Sequence, residues 1–209
     1  LHLPASPADN YGLIRSFLGR AVDSLKTNNV ADAARFGGTL AHLLEDWGCP
    51  AHAVPGDNMF TLFKQFLPPP DAYRYAPLHS PIENGTFDVD LQGRKPRLLG
   101  TTVDEAAFAL LQRSQEATVA ARAQVVPIIE ALYRNDTNAC NAAQQKAAVL
   151  DAALVSDALY TLVCLGRSRV DAGEAASLGS ASLSGFATLE MPNLYPPQTA
   201  FCSKPFWGH

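Results

Sequence analysis

The sequence LAHLLEDWGCPAHAVPGDN, residues 40–58, carries the pattern around which the rest of the chain can be interpreted. His42 and Asp46 are four residues apart, so on a helix their side chains lie on one face, about one turn from each other. An imidazole nitrogen and a carboxylate oxygen placed in this way can bind one metal ion, and both suit Zn²⁺. The stretch therefore predicts a helix that carries metal ligands near its end.

The residues that follow this pair predict a return of the chain to the same place. Gly48 and Pro50 are expected to end the helix, and the turn can bring His52 back toward the pocket. A second pair with the same spacing, His79 and Glu83, lies further along the chain. Two such pairs and a histidine between them favour a site with more than one metal ion. The spacing alone also fits an ordinary histidine–carboxylate hydrogen bond on a helix.

The order of these residues resembles the zinc-dependent phospholipase C family. The resemblance rests on His-x3-Asp-x5-His at residues 42–52, on His-Ser-x-x-Glu at residues 79–83, and on Pro50 two residues before His52. That family includes bacterial phosphatidylcholine-hydrolysing enzymes and, more distantly, fungal single-strand nucleases. The resemblance covers about residues 10–166, and it implies an all-α multi-helix bundle that binds up to three zinc ions and cleaves phosphodiesters.

The resemblance also implies a role for each candidate ligand. His52, His79 and Glu83 would hold one zinc ion, with an open position for water. His42 and Asp46 would belong to a second ion, and Asp46 would bridge to a third.

The beginning of the chain departs from the family pattern. His2 lies where the family has a further histidine ligand, but Leu1 cannot replace the family's N-terminal tryptophan and no aspartate precedes His2. We therefore expect that an N-terminal piece is missing or that the metal cluster is smaller. The family assigns the catalytic base to that portion, so no catalytic residue is named. Asn58 lies where the family can have an asparagine near the bound phosphate, which makes it the candidate substrate-binding residue.

The composition indicates one domain with a sizeable core. The 209 residues are 47% hydrophobic and carry a net charge of −4, and this charge provides no basic surface for nucleic acid. No apolar run appears long enough for a membrane span. The chain begins with Leu, so we expect a mature, processed or truncated protein that is secreted or extracytoplasmic.

Hydrophobic periodicity predicts helices over residues 7–25, 30–47, 102–133 and 138–166. Asn29 is expected to cap the second helix, and Thr102 with Glu105 forms a capping box for the third. Pro127 should kink or divide the third helix. Gly166 is the expected C-terminal cap of the fourth, whose broad apolar face should make it central.

Three further segments have a local interpretation. Gly37 and Gly38 each cost the second helix about 1 kcal/mol relative to Ala, which is tolerable where another helix packs closely. Residues 57–66 are apolar and are interpreted as core, with an apolar wall beside the site as the alternative. Residues 87–98 alternate loosely between apolar and polar, and we interpret them as loop rather than strand.

The chain changes character near residue 168, where Gly, Ser and Ala become frequent and helical periodicity is lost. We therefore predict a helical domain over residues 1–167 and an irregular C-terminal arm over residues 168–209. The aromatic residues of the arm suggest that it packs on its own domain or on a neighbouring subunit.

The cysteines are Cys49, Cys140, Cys164 and Cys202, and none forms a Cys-x-x-Cys motif. On one straight helix Cys140 and Cys164 would lie about 36 Å apart, too far for a disulfide. Two pairings remain in an exported protein: Cys49–Cys140 with Cys164–Cys202, or Cys49–Cys164 with Cys140–Cys202. Free buried thiols are the third alternative.

These observations lead to three functional hypotheses. The first is a secreted zinc-dependent phosphodiester hydrolase of phospholipase C type, which uses a metal-activated water on a phospholipid head group. The second is a non-catalytic helical module for binding or assembly. The third is a single-strand nuclease that acts on nucleotide phosphodiesters.

Overall fold

The computed structural model describes residues 7–53 and 87–178. Its helices in chain order are α1 (Pro7–Lys26), α2 (Val30–Gly48), α3 (Val103–Ala123), α4 (Val125–Tyr133), α5 (Thr137–Gly166) and α6 (Ala172–Ser177). No strand occurs within the two described ranges, and the all-α class is confirmed there. Residues 87–102, which lead into α3, form neither helix nor strand, as the sequence interpretation of residues 87–98 expects.

The long helix α5 lies at the centre of the bundle and packs against α1, α2, α3 and α4. It runs antiparallel to α2, because Gly37 of α2 lies against Leu162 and Gly48 lies against Asp151. The core between these helices is made of apolar side chains from α1, α2, α3 and α5, among them Ile14, Leu18, Leu40, Leu44, Leu110, Leu111 and Leu154.

The expected broad apolar face of α5 is only partly buried. Leu150, Leu159 and Val163 belong to that predicted face, but their side chains are exposed in the described part of the chain. The reason is that apolar side chains of α5 point in most directions around the helix axis, whereas the described neighbouring helices cover only some of these directions. By length and composition α5 could also cross a membrane, a test that the core helices of soluble proteins pass as well. The absence of a transmembrane segment therefore stays a prediction.

The predicted N-terminal caps of α2 and α3 are confirmed, with one difference in detail. Asn29 caps α2 by accepting a hydrogen bond from the Asp32 N–H. Thr102 caps α3 in the same way, with the Glu105 N–H donating to Thr102 Oγ1 at 3.1 Å. The Glu105 carboxylate, however, accepts from the backbone and hydroxyl of Thr101 rather than from the Thr102 N–H of a standard capping box. The helix containing Pro127 is divided, since α3 ends and α4 begins around Gln124.

Gly166 does not have the predicted role of a left-handed C-terminal cap. It is the last residue of α5, and a Cβ at this position would lie 2.6 Å from the Cβ of Leu25 in α1. Ser168 adopts the left-handed conformation instead, with φ of 52°, and the Arg169 N–H then donates to the Cys164 carbonyl. Gly166 is therefore required by the close approach of α1 and α5.

The predicted irregular arm begins with a helix. Asp171 caps α6 by accepting from the Glu174 N–H, and Tyr160 of α5 donates a hydrogen bond to the Glu174 carboxylate at 2.7 Å. The prediction missed α6 because six residues are too few to show helical periodicity. Residues 179–209 and residues 57–66 lie outside the described residues.

The two predicted disulfide pairings are wrong. No disulfide joins Cys49 to Cys140 or to Cys164, and both pairings required a bond between Cys49 and one of these two. Cys49 follows Gly48, which lies against Asp151, and Asp151 is about 17 Å along the α5 axis from Cys140 and about 20 Å from Cys164. A disulfide needs Cα atoms within about 7 Å of each other. Cys202 lies outside the described residues.

Candidate metal centre

The C-terminal end of α2 is held by local chemistry and by α3. Cys49 is extended and Pro50 has no N–H, so the helix cannot continue past Gly48. The Trp47 carbonyl, which has no partner within its own helix, accepts a hydrogen bond from the Thr118 hydroxyl of α3 at 2.8 Å. The end of α2 is therefore fixed against the bundle rather than frayed.

The turn after α2 brings His52 back to the helix, as the sequence predicts. The backbone N–H groups of His52 and Ala53 both donate to the Cys49 carbonyl, at 3.1 and 3.0 Å. His52 Nε2 then lies 3.7 Å from Oδ1 of Asp46. The side chain of His52 is 0% exposed, so the position of its imidazole is set by packing as well as by the turn.

The Asp46 carboxylate lies between two imidazoles. His42 Nε2 is 3.6 Å from Asp46 Oδ2, while His52 approaches the other oxygen, Oδ1. The His42 side chain is 70% exposed and that of Asp46 is 11% exposed, so this group is open to solvent on the His42 side. Zinc–ligand bonds of about 2.0–2.1 Å in a tetrahedron separate two ligand atoms by about 3.3 Å. The donor types suit zinc, and each carboxylate oxygen faces a different imidazole at slightly more than this separation.

The sequence analysis missed a third carboxylate at this end of the bundle, that of Asp151 in α5. A Cβ on Gly48 would lie 2.5 Å from Asp151 Cγ, so only glycine lets the carboxylate approach α2 this closely. Asp151 is 8% exposed, and its Oδ1 has no hydrogen-bond partner among the described residues. Its only signal in the sequence is an acidic residue inside the long, largely apolar helix α5.

Burial, together with the negative charges of Glu45 and Asp46, raises the pKa of Asp151 to about 7. A carboxylate in these surroundings is stabilised by taking up a proton or by a nearby cation. The end of α2 therefore carries two imidazoles, and carboxyl groups from both α2 and α5 act on one another there.

A second buried carboxylate of α5, Asp157, has the opposite environment. Its side chain is 0% exposed and accepts hydrogen bonds from both terminal nitrogens of Arg94, from Arg113, and from the backbone N–H of Arg97. Burial acts to raise the pKa of Asp157, but the hydrogen bonds from Arg94 and Arg113 outweigh it, so the pKa is lowered. This cluster attaches residues 94–97 to α5.

The same connection is attached to α5 a second time, closer to the candidate site. The Gln145 side chain donates a hydrogen bond to the Asp88 carbonyl at 2.7 Å. Gln145 precedes Asp151 by six residues, or about 9 Å along α5, on the side beyond the last turn of α2. Residue 88 therefore lies at the same end of the bundle as His52.

The structure brings together three of the predicted site residues, His42, Asp46 and His52. The others lie outside the described residues: His2, Asn58, His79 and Glu83. Within residues 7–53 and 87–178 no group of three or more His, Cys, Asp or Glu side chains is placed to hold a metal ion. The ligand assignment made from the sequence agrees with this, because each ion in it needs ligands from outside the described residues, such as His79 and Glu83.

Comparison with known proteins found no matching family model, no matching curated protein and no matching solved structure. The resemblance to the zinc-dependent phospholipase C family therefore rests on the residues quoted above. The geometry of His42, Asp46 and His52 is an independent observation on the same residues.

Proposed function

We propose that the protein is a zinc-dependent phosphodiester hydrolase of phospholipase C type, with its site at the C-terminal end of α2. The observation that supports the proposal is the position of the Asp46 carboxylate, whose two oxygens face the imidazoles of His42 and His52 at 3.6 and 3.7 Å. A carboxylate between two imidazoles is suited to bridge two metal ions. An ordinary histidine–carboxylate hydrogen bond within one helix would involve only His42 and Asp46, and it would not require His52 at the second carboxylate oxygen.

The proposed ligands differ in their exposure, and we assign them different roles in metal binding. His52 is fully buried and would hold its ion rigidly, whereas the exposed His42 lies on the side from which a substrate can approach. His79 and Glu83 are proposed to complete the ligand set with His52. When bound, zinc lowers the pKa of a coordinated water and offsets negative charge on a phosphodiester.

Chain length allows His79 and Glu83 to reach this end of the bundle. The described chain leaves the site at residue 53 and is again fixed near α5 at Asp88, which accepts the hydrogen bond from Gln145. Five residues separate Glu83 from Asp88 and span at most about 18 Å. The length of the chain is therefore compatible with the proposed position of the second ligand pair near the first.

The charges at this site explain why substrate binding would depend on the metal. Glu45, Asp46 and Asp151 are acidic, and a phosphodiester is an anion that three carboxylates repel. Cations bound between the carboxylates and the imidazoles reverse this local charge. The net charge of −4 favours a phospholipid head group over a long polynucleotide, which needs a basic surface.

The proposal is tested by hydrolysis assays on the zinc-loaded protein. We expect release of a phosphorylated head group from phosphatidylcholine, loss of that release with EDTA, and recovery with added zinc. His52→Ala should lower the rate by at least about a hundredfold, since one ion loses a ligand. His209→Ala, which changes a histidine outside the predicted ligand set, is the matched control. Zinc-loaded protein that cleaves neither phosphatidylcholine nor single-stranded DNA would overturn the proposal.

A further inference from the structure

The hydroxyl of Thr118 connects α3 to the end of the helix that carries two of the candidate ligands. Thr118 is 2% exposed, and its Oγ1 lies 2.8 Å from the Trp47 carbonyl and 2.9 Å from the Ser114 carbonyl of its own helix. Ser114 lies inside α3, where the helix itself provides an N–H for the carbonyl. Trp47 is 3% exposed and lies in the last turn of α2, where carbonyls lack such a donor. The Thr118 hydroxyl therefore satisfies a buried carbonyl that water would otherwise have to reach.

The position of Trp47 affects those of Asp46 and His52 through the backbone. Asp46 directly precedes Trp47, and its carbonyl accepts a hydrogen bond from the Cys49 N–H at 3.3 Å. The Cys49 carbonyl in turn accepts from the His52 N–H at 3.1 Å, and this turn brings His52 Nε2 to 3.7 Å from Asp46 Oδ1. A series of backbone contacts therefore leads from Thr118 to both side chains.

We propose that Thr118 is a positioning residue for the Asp46–His52 pair and that it acts through the Trp47 carbonyl. The proposal rests on the function proposed above, in which this pair binds metal, and it adds a residue from a helix that carries none of the candidate ligands. Ligands keep the geometry that a metal ion needs when a second layer of hydrogen bonds holds the elements on which they lie. A hydroxyl in the interior of α3 provides such a bond for the end of α2.

Ser114 is a natural comparison, because its buried hydroxyl makes a different kind of bond. It is 1% exposed and lies one turn before Thr118, and its Oγ donates to the Leu111 carbonyl within α3 at 2.8 Å. The two hydroxyls therefore share a helix and a degree of burial. The bond made by Ser114 stays within one helix, whereas the bond from Thr118 to Trp47 joins two. A role in positioning α2 is expected of Thr118 and not of Ser114.

The test compares Thr118→Val, Thr118→Ser and Ser114→Ala by amide hydrogen exchange in EDTA and by zinc affinity. Val keeps the shape of Thr without its hydroxyl, whereas Ser keeps the hydroxyl and should restore the wild-type behaviour. We expect Thr118→Val to speed exchange of the His52 N–H by at least about tenfold, because the end of α2 loses its hydrogen bond to α3. The zinc dissociation constant should rise by about tenfold as the ligand pair moves. Thr118→Ser and Ser114→Ala should each change both values by less than about threefold.

Three results would overturn the inference. The first is a Thr118→Val variant whose His52 exchange changes no more than that of Ser114→Ala. The second is exchange that speeds up equally throughout α2 and α5, since the hydroxyl would then serve only the stability of the bundle. The third is faster exchange at His52 with unchanged zinc affinity.

The exchange measurement also separates this inference from the proposed function. Wild-type protein that binds no zinc would overturn the proposed function, while exchange at His52 would still decide whether Thr118 positions the turn. If Thr118→Val does not fold, the wild type gives the answer. Slow exchange of its His52 N–H supports the inference, and exchange at the rate of an unprotected amide contradicts it.

Discussion

Two aspartates of α5 show how the neighbours of a residue decide its chemistry. Asp151 and Asp157 are six residues apart and both are buried. Arg94 and Arg113 hold the pKa of Asp157 below its usual value, while burial and two acidic neighbours raise that of Asp151. The environment of Asp157 therefore stabilises its charged form, whereas Asp151 is stabilised by a proton or a cation.

Asp151→Asn is expected to stabilise the metal-free protein, and the gain should depend on pH. The pKa of Asp151 rises from 3.8 to about 7 on folding, so the stability of the wild type falls as the pH rises between these values. The full penalty, on the order of 4 kcal/mol, applies above pH 7 and shrinks to less than about 1 kcal/mol at pH 4. Urea unfolding in EDTA at pH 4, 6 and 8 measures the difference. A gain that is the same at every pH would contradict this account.

Asp157→Asn is expected to destabilise the protein by about 3 kcal/mol at pH 7, because it removes the buried negative charge that pairs with two half-buried arginines. The folded pKa of Asp157 is lowered, so its contribution is present above the unfolded pKa and is lost as the pH falls through the folded value. The variant and the wild type should therefore converge in acid. Asp104→Asn, which breaks the exposed pair with Arg15, is the control and should have a much smaller effect.

At the scale of helices, glycines mark where elements touch. Gly166 lies against Leu25 of α1, and Gly48 lies against Asp151, whereas a Cβ at Gly38 would meet nothing within 4 Å. From the sequence, Gly38 is predicted to weaken its helix, whereas Gly48 and Gly166 are predicted to lie at helix ends. Only the packing distinguishes a glycine that is required from one that is not.

A pair of glycine variants tests this distinction. Gly38→Ala should stabilise the protein by about 0.5–1 kcal/mol, since Ala is the better helix former and the space is open. Gly166→Ala should destabilise it by about 1–3 kcal/mol, because the new methyl group would overlap Leu25. Thermal unfolding by circular dichroism measures both changes. Stabilisation by both variants would show that α1 and α5 are further apart than described.

Helix positions could be predicted from the sequence because caps and periodicity are local. Asn29 and Thr102 carry their own hydrogen-bonding partners within three residues, and the turn after Pro50 returns His52 to Asp46 over a short stretch. Asp151 could not be predicted, since its meeting with Gly48 depends on how α5 pairs with α2. The short helix α6 was not predicted for a different reason. It is stabilised by its N-terminal cap and by the hydrogen bond from Tyr160 rather than by an apolar face.

At the scale of the whole molecule, the core and the site are separable. The apolar contacts among α1, α2, α3 and α5 involve no metal ligand, so the bundle should stay folded without zinc. Zinc binding should nevertheless add stability, by about 4 kcal/mol at a concentration a thousandfold above its dissociation constant. We therefore expect EDTA to lower the melting temperature while the helical content at 20 °C is kept. A melting temperature that is unaffected by EDTA and by added zinc would contradict this.

The measurement that tests the central claim most directly is the zinc content of the purified protein by elemental analysis, in the wild type, His52→Ala and His209→Ala. Binding of the ion at the end of α2 predicts stoichiometric zinc in the wild type and in His209→Ala, and a marked loss in His52→Ala. Equal zinc in all three proteins, or none in the wild type, would contradict a metal centre to which His52 contributes a ligand.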